Sequence, residues 1–197
     1  MNVPNQLTAL RLALSIVLFV VIAIAQTLDT SHAARQSQLY LAAFILLIIA
    51  AGTDWVDGFY ARRYDQVTVL GRIFDPFVDK VIICGVFIFL VASPGSQISA
   101  WMAVVVVVRE LLVTALRSFF ERRGTDFSAK WAGKVKMVLQ CAAAAASLLL
   151  LTYTQPDTQP APAWLGYLVT ALVWSAIVVT VYSGAEYVVA AARLWKD

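Results

Sequence analysis

Residues 54–79 read DWVDGFYARRYDQVTVLGRIFDPFVD, and this stretch decides the fold. Asp54, Asp57, Gly58, Ala61 and Arg62 fall at offsets of 0, 3, 4, 7 and 8, the spacing of one helical face. Gly71, Asp75 and Asp79 fall at offsets of 0, 4 and 8, again one face. An apolar run, LYLAAFILLIIAA at 39–51, leads into the first stripe, and another, VIICGVFIFLVA at 81–92, follows the second. Four carboxylates beside such membrane-type segments would repel and desolvate one another unless a cation joined them.

Working outward, the whole chain shares the apolar character of those runs. Hydrophobic residues make up 61% of its 197 positions and charged residues only 14%, and the charges cluster. That balance excludes an ordinary soluble domain. Several runs approach or exceed the ~20 residues that cross a bilayer. Helices satisfy their own backbone in lipid, so the expected class is an all-α integral membrane bundle forming a single domain over 1–197. The net charge of +3 reflects membrane topology, because no basic run with interleaved aromatics suggests nucleic acid. Cys84 and Cys141 fall inside apolar runs as reduced core thiols, without zinc or disulfide spacing. The alanine run at 142–146 suggests close helix packing.

Six spans are predicted, at about 7–28, 38–62, 69–92, 98–120, 128–153 and 164–191. Residues 1–10 precede them as a short interfacial segment, with Pro4 barring an earlier helix and Asn5 as a cap. Met1–Thr8 lacks the basic region of a cleavable signal peptide, so the first apolar run is expected to remain as a span. Arg11 then either anchors that span or lines the mouth of a site with Asn5 and Thr8. Residues 29–37 form a polar loop in which His32 is solvated, and SPGSQ at 93–97 forms a tight turn. An even number of spans puts both termini on one side, together with Arg62, Arg63, Arg122, Arg123, Lys130, Arg193 and Lys196. The opposite loops contain only Arg35, so the positive-inside rule places the termini and both Asp pairs toward the cytoplasm of a bacterial-type inner membrane.

Spans two and three are antiparallel across a short turn, so Asp54, Asp57, Asp75 and Asp79 can converge. Hard oxygen ligands in this number suit Mg²⁺ or Mn²⁺, and can hold two ions. Gly58 and Gly71 leave room for a ligand to approach the backbone, and Arg62 is placed for a phosphate. Such a constellation suits phosphoryl transfer. A divalent-cation transporter is the rival class, but it would place acids near the bilayer midplane and leave the glycines and Arg62 without a purpose.

The pattern D-x-x-D-G-x-x-A-R, eight residues, G-x-x-x-D-x-x-x-D resembles the signature of the CDP-alcohol phosphatidyltransferases, with all eight defining positions filled. The resemblance implies an enzyme that displaces CMP from CDP-diacylglycerol with an alcohol hydroxyl. It implies that Asp54, Asp57 and Asp75 hold two metal ions, while Asp79 serves as catalytic base and touches one of them. Gly58, Ala61, Arg62 and Gly71, with Asp57, would bind the CDP-lipid, and Asn5 and Thr8 would line its entry. A homodimer in contact with membrane lipids is implied as well.

The acceptor is suggested by further cations. Arg109 and Arg117 share a face of span four, and Lys134 and Lys136 open span five beside Gly133. They can form one basic pocket that suits an acceptor bearing a phosphate. Details outside the signature resemble family members that use glycerol-3-phosphate: NVPNQLTALR at 2–11, DPFVDK at 75–80, Arg109-Glu110 with a following ALR, and GKVK at 133–136. Met137 departs from that pattern, where threonine is expected. Inositol phosphate, or phosphatidylglycerol as in cardiolipin synthesis, are the alternative acceptors.

Overall fold

A computed structural model describes residues 3–64, 69–122, 131–154 and 160–194, with side chains throughout except at 3–7, 30, 54–64, 69–76 and 121–122. Six α-helices account for nearly all of it: α1 Val3–Thr27, α2 Ala33–Tyr64, α3 Val69–Val91, α4 Ala100–Arg122, α5 Trp131–Leu151 and α6 Ala163–Leu194. The described residues contain no strand. Four segments are long and apolar enough to cross a membrane: Thr8–Thr27, Ala33–Thr53, Trp131–Leu151 and Ala163–Leu194. Helices α3 and α4, of 23 residues each, also have the length to span, but charged residues interrupt their apolar sequence. The molecule is a helical membrane bundle.

The packing closes a ring. Helix α1 lies against α2, α2 against α5, α5 against α6, α6 against α4, α4 against α3, and α3 against α1. Helix α3 also touches α5 across the ring. One core joins all six helices, from Leu18 and Ile22 of α1 through Leu47 of α2, Val86 and Phe87 of α3 and Val106 of α4 to Leu148 of α5 and Val173 of α6. Ala143 and Ala144 are fully buried, and their small side chains allow the close approach expected of the alanine run. Large apolar side chains such as Ile16, Ile48, Leu111, Val138 and Val178 point outward, as lipid-facing positions should.

Helix boundaries depart from the sequence expectation in an instructive way. Helix α1 begins at Val3, so residues 3–10 are its first turns, Pro4 lies in the first turn and Asn5 is inside the helix, not its cap. Pro4 is tolerated there because first-turn N–H groups have no intrahelical acceptor in any case. Helix α2 begins at Ala33, after a single 3-10 turn over Thr30–His32 closed by the His32 N–H on the Asp29 carbonyl at 2.9 Å. Arg35, Gln36 and Ser37 are therefore helical. Their polarity marks the edge of the lipid, not the end of the helix. His32 is exposed, as expected of a solvated residue.

Uncharged hydrogen bonds tie together the end of the bundle where α1, α3 and α5 finish. Gln26 Nε2 donates to the Phe89 carbonyl at 2.7 Å and to Ser93 Oγ at 2.8 Å, joining α1 to the end of α3. Ser37 Oγ donates to the Thr152 carbonyl at 2.8 Å. The turn between α3 and α4 uses left-handed backbone at Gly95 (φ 92°) and Gln97 (φ 63°). The Gln97 side chain is pinned to α6, accepting from Thr170 Oγ1 at 2.5 Å and donating to the Gly166 carbonyl at 3.3 Å.

Candidate active site

The charged residues gather at the other end of the bundle, where α1, α3 and α5 start and α2, α4 and α6 finish. Among the described residues this end carries Arg11, Asp79, Lys80, Arg109, Glu110, Arg117, Lys134, Lys136, Glu186 and Arg193. Helix α2 continues to Tyr64 and α3 resumes at Val69, so Asp54 and Asp57 lie one turn apart toward the end of α2, while Asp75 and Asp79 lie one turn apart in α3. The backbone thus puts the signature on two helices, in the predicted register. The side chains of Asp54, Asp57, Gly58, Ala61, Arg62, Gly71 and Asp75, like that of Asn5, lie outside the described residues.

Asp79 is described, and it is partly exposed, with 25% of its side-chain surface accessible. Arg11 of α1, 3% exposed, donates from Nη2 to Asp79 Oδ1. Arg11 is therefore not an anchor at the lipid edge. It reaches the carboxylate expected to act as base, and Thr8, one turn before it, is buried beside it on α1. Four aspartates on two helices, with Asp79 partly exposed, are hard oxygen donors of the chemical kind that suits a divalent ion.

A second cluster forms where α4, α5 and α6 meet. Arg109, Glu110 and Lys136 are 8%, 6% and 5% exposed. Glu110 Oε1 accepts from Arg109 Nη1 at 3.2 Å and also from Lys136 Nζ. Arg109 Nε donates to Ser183 Oγ of α6 at 3.2 Å. Tyr187, one turn beyond Ser183, packs its ring beneath two guanidiniums, 5.7 Å from Arg109 and 6.0 Å from Arg117. Its hydroxyl accepts from Arg117 Nη2 at 3.1 Å. Gly184 completes the seat, since a Cβ there would lie 3.2 Å from Arg109 Cγ.

Helix α3 packs against α4, so the two clusters lie on neighbouring helices. Lys80, beside Asp79 on α3, lies within range of the charges of Glu110, Arg117 and Asp79. Of the four cations predicted to share a pocket, Arg109, Arg117 and Lys136 come together, while Lys134 is exposed at the start of α5. Ser183, Gly184 and Tyr187 were not singled out from sequence. A small-small-x-x-aromatic pattern late in an apolar span was the only available signal, and it does not say which helix it faces. Cys84 of α3 and Cys141 of α5 are not joined in a disulfide.

Comparison with known proteins shows which family the chain resembles along almost its whole length. The model of the CDP-alcohol phosphatidyltransferase family matches residues 1–194. A Bacillus subtilis protein named CDP-diacylglycerol–glycerol-3-phosphate 3-phosphatidyltransferase is 34% identical over 203 residues, covering 94% of this chain and 93% of its own. Proteins of the same name from Escherichia coli and Shigella flexneri are 33% identical over 152 residues, covering 76% of this chain and 78% of theirs.

Proposed function

Because the chain belongs to the CDP-alcohol phosphatidyltransferase family, we propose that it transfers the phosphatidyl group of CDP-diacylglycerol to glycerol-3-phosphate, giving phosphatidylglycerophosphate and CMP. The name shared by its relatives supports this acceptor. The observation that carries it is the convergence of buried Arg109 and Lys136 with half-buried Arg117, beside the α3 stripe. A neutral alcohol would give such cations nothing to bind, whereas a phosphate dianion gives them hydrogen-bonded charge partners.

Asp54, Asp57, Asp75 and Asp79 would together hold two Mg²⁺ or Mn²⁺ ions, which when bound offset the charge of the diphosphate and of the leaving group. The remaining steps belong to the chain itself. Asn5, Thr8, Asp57, Gly58, Ala61, Arg62 and Gly71 seat the CDP-lipid, its acyl chains in the bilayer and its cytidine end at the polar face. Arg109, Arg117 and Lys136 hold the acceptor phosphate, with Lys134 at the exposed entrance. Asp79 takes the proton of the acceptor 1-hydroxyl, and Arg11 orients that carboxylate. The freed oxygen forms a bond to the lipid-side phosphorus as the bond from that phosphorus to the CMP oxygen breaks. CMP departs with the electron pair, its phosphate against Arg62.

The enzyme would lie in the bacterial inner membrane, as a homodimer, with this end facing the cytoplasm, where the polar acceptor is found. The test supplies detergent-purified protein with CDP-diacylglycerol and Mg²⁺, and offers glycerol-3-phosphate, inositol phosphate, phosphatidylglycerol, serine or inositol separately. CMP release and phosphatidylglycerophosphate formation with glycerol-3-phosphate alone is the expected result. Turnover with a different acceptor would keep the transfer chemistry and overturn the acceptor. Metal flux through proteoliposomes without any CDP-lipid would favour a transporter instead.

A further inference from the structure

We infer that Glu110 is a positioning residue for the acceptor: one of its carboxylate oxygens gathers Arg109 of α4 and Lys136 of α5 into a single phosphate seat. The inference rests on glycerol-3-phosphate being the acceptor. Neighbours on a helix point about 100° apart, so Arg109 and Glu110 do not naturally face the same way. Arg109 leaves its helix toward α6, where Ser183 Oγ accepts from its Nε at 3.2 Å, Tyr187 lies beneath its guanidinium and Gly184 leaves room for its stem. Its tip then reaches the start of α5, where Nη2 lies 3.9 Å from the position a Cβ on Gly133 would occupy. Nη1 turns back to Glu110 at 3.2 Å. The same oxygen, Oε1, accepts from Lys136 Nζ.

Without that oxygen two buried cations would face each other with no anion between them, and like charges in a low-dielectric interior separate. Arg109 and Lys136 share this carboxylate, and Arg117 shares Tyr187 with Arg109, so one negative charge stands against three cations. The remainder suits a phosphate dianion. Glu110 itself would repel that phosphate, and its bonded oxygen is already shared by two donors. It therefore acts through the cations, not on the substrate.

The experiment compares wild type, Glu110→Gln, Glu110→Asp, Lys136→Met and the Glu110→Gln/Lys136→Met double variant in detergent, with both substrates varied. Glu110→Gln should raise the KM for glycerol-3-phosphate about tenfold, with the KM for CDP-diacylglycerol unchanged, a shift of the size measured between coupled side chains. Glu110→Asp, which keeps the charge, should raise it about threefold. The double variant should raise the KM by clearly less than the product of the two single effects, since with Lys136 gone the carboxylate places Arg109 alone. An unchanged acceptor KM, an equal rise in both KM values, or additive effects in the double variant would overturn the inference. If Glu110→Gln does not fold, as judged by its melting in detergent, the Glu110→Asp comparison decides by the same criterion. Wild-type protein that does not use glycerol-3-phosphate would defeat the functional reading instead, and that outcome is read before any variant is compared.

Discussion

Tyr187 does two jobs with one side chain. Its hydroxyl bonds Arg117 at 3.1 Å, and its ring lies under both Arg109 and Arg117. The two jobs are separable. Tyr187→Phe removes the hydrogen bond alone, an effect of about 1 kcal/mol, and should raise the KM for glycerol-3-phosphate about threefold to fivefold. Tyr187→Leu removes the ring as well, with its cation–π attraction, and should raise that KM by a further factor of about three or more. Steady-state kinetics with the acceptor varied would check both, and equal effects would mean that the ring is only filling space. The acidic residues call for a sharper outcome. Asp57→Ala or Asp75→Ala should lower CMP release by about a thousandfold or more while leaving the melting transition in detergent in place, as expected for groups that stabilise developing charge. Chelation of divalent ions should do the same to wild type, and added Mg²⁺ or Mn²⁺ should restore it. The four aspartates stand out in the sequence because a carboxylate in a membrane protein is expensive and its spacing is a strong signal. Tyr187 was not legible. Its partner Arg117 lies on another helix, 70 residues away in sequence, and a tyrosine in an apolar span is equally at home facing lipid, as Tyr182 does.

At the scale of the helix, α1 and α3 meet through a close contact that ties the Arg11–Asp79 pair to the rest of the bundle. A Cβ on Gly85 would lie 2.2 Å from Cζ of Phe19, so the glycine is required by the aromatic ring lying over it. That ring is in turn stacked on Phe89, with centroids 5.4 Å apart and planes at 15°. Gly85→Ala should therefore destabilise the fold by about 1–3 kcal/mol, the usual penalty of overpacking. Shortening the ring, in Gly85→Ala/Phe19→Leu, should recover part of the loss. Unfolding in detergent would measure both, and a Gly85→Ala protein as stable as wild type would show that the ring swings away at no cost. The number of helices was readable from sequence because bilayer thickness sets a minimum apolar length. Their ends were less so. Helix α2 starts five residues before its predicted apolar onset and α1 four before, because backbone hydrogen bonding continues past the lipid edge where hydropathy stops reporting it.

Over the whole molecule, charge is divided between the two ends. Among the described residues, Asp29, His32 and Arg35 are the ionisable groups other than tyrosine at the end where α1, α3 and α5 finish, and that end is held by amide and hydroxyl contacts instead. The other end carries cations on α1, α3, α4, α5 and α6. The positive-inside rule turns this asymmetry into an orientation, and the orientation bears on chemistry because glycerol-3-phosphate and CMP are cytoplasmic, polar and unable to cross the bilayer unaided. A background with Cys84→Ala and Cys141→Ala allows single cysteines to report it. Ser31 and Ala192 are exposed at opposite ends. In intact bacterial spheroplasts, a membrane-impermeant maleimide should label Ser31→Cys directly and Ala192→Cys only after permeabilisation. The reverse pattern would place the Asp stripes and the basic cluster outside, away from glycerol-3-phosphate. The buried cations would then have to be held for some other anion, and the acceptor assignment would fall even if the transfer chemistry survived. Labelling of both positions in intact spheroplasts would contradict the bundle itself, since the bonds from Gln26 to Phe89 and Ser93 and from Ser37 to Thr152 put the ends of α1, α3 and α5 together with the start of α2, at the end away from Ala192.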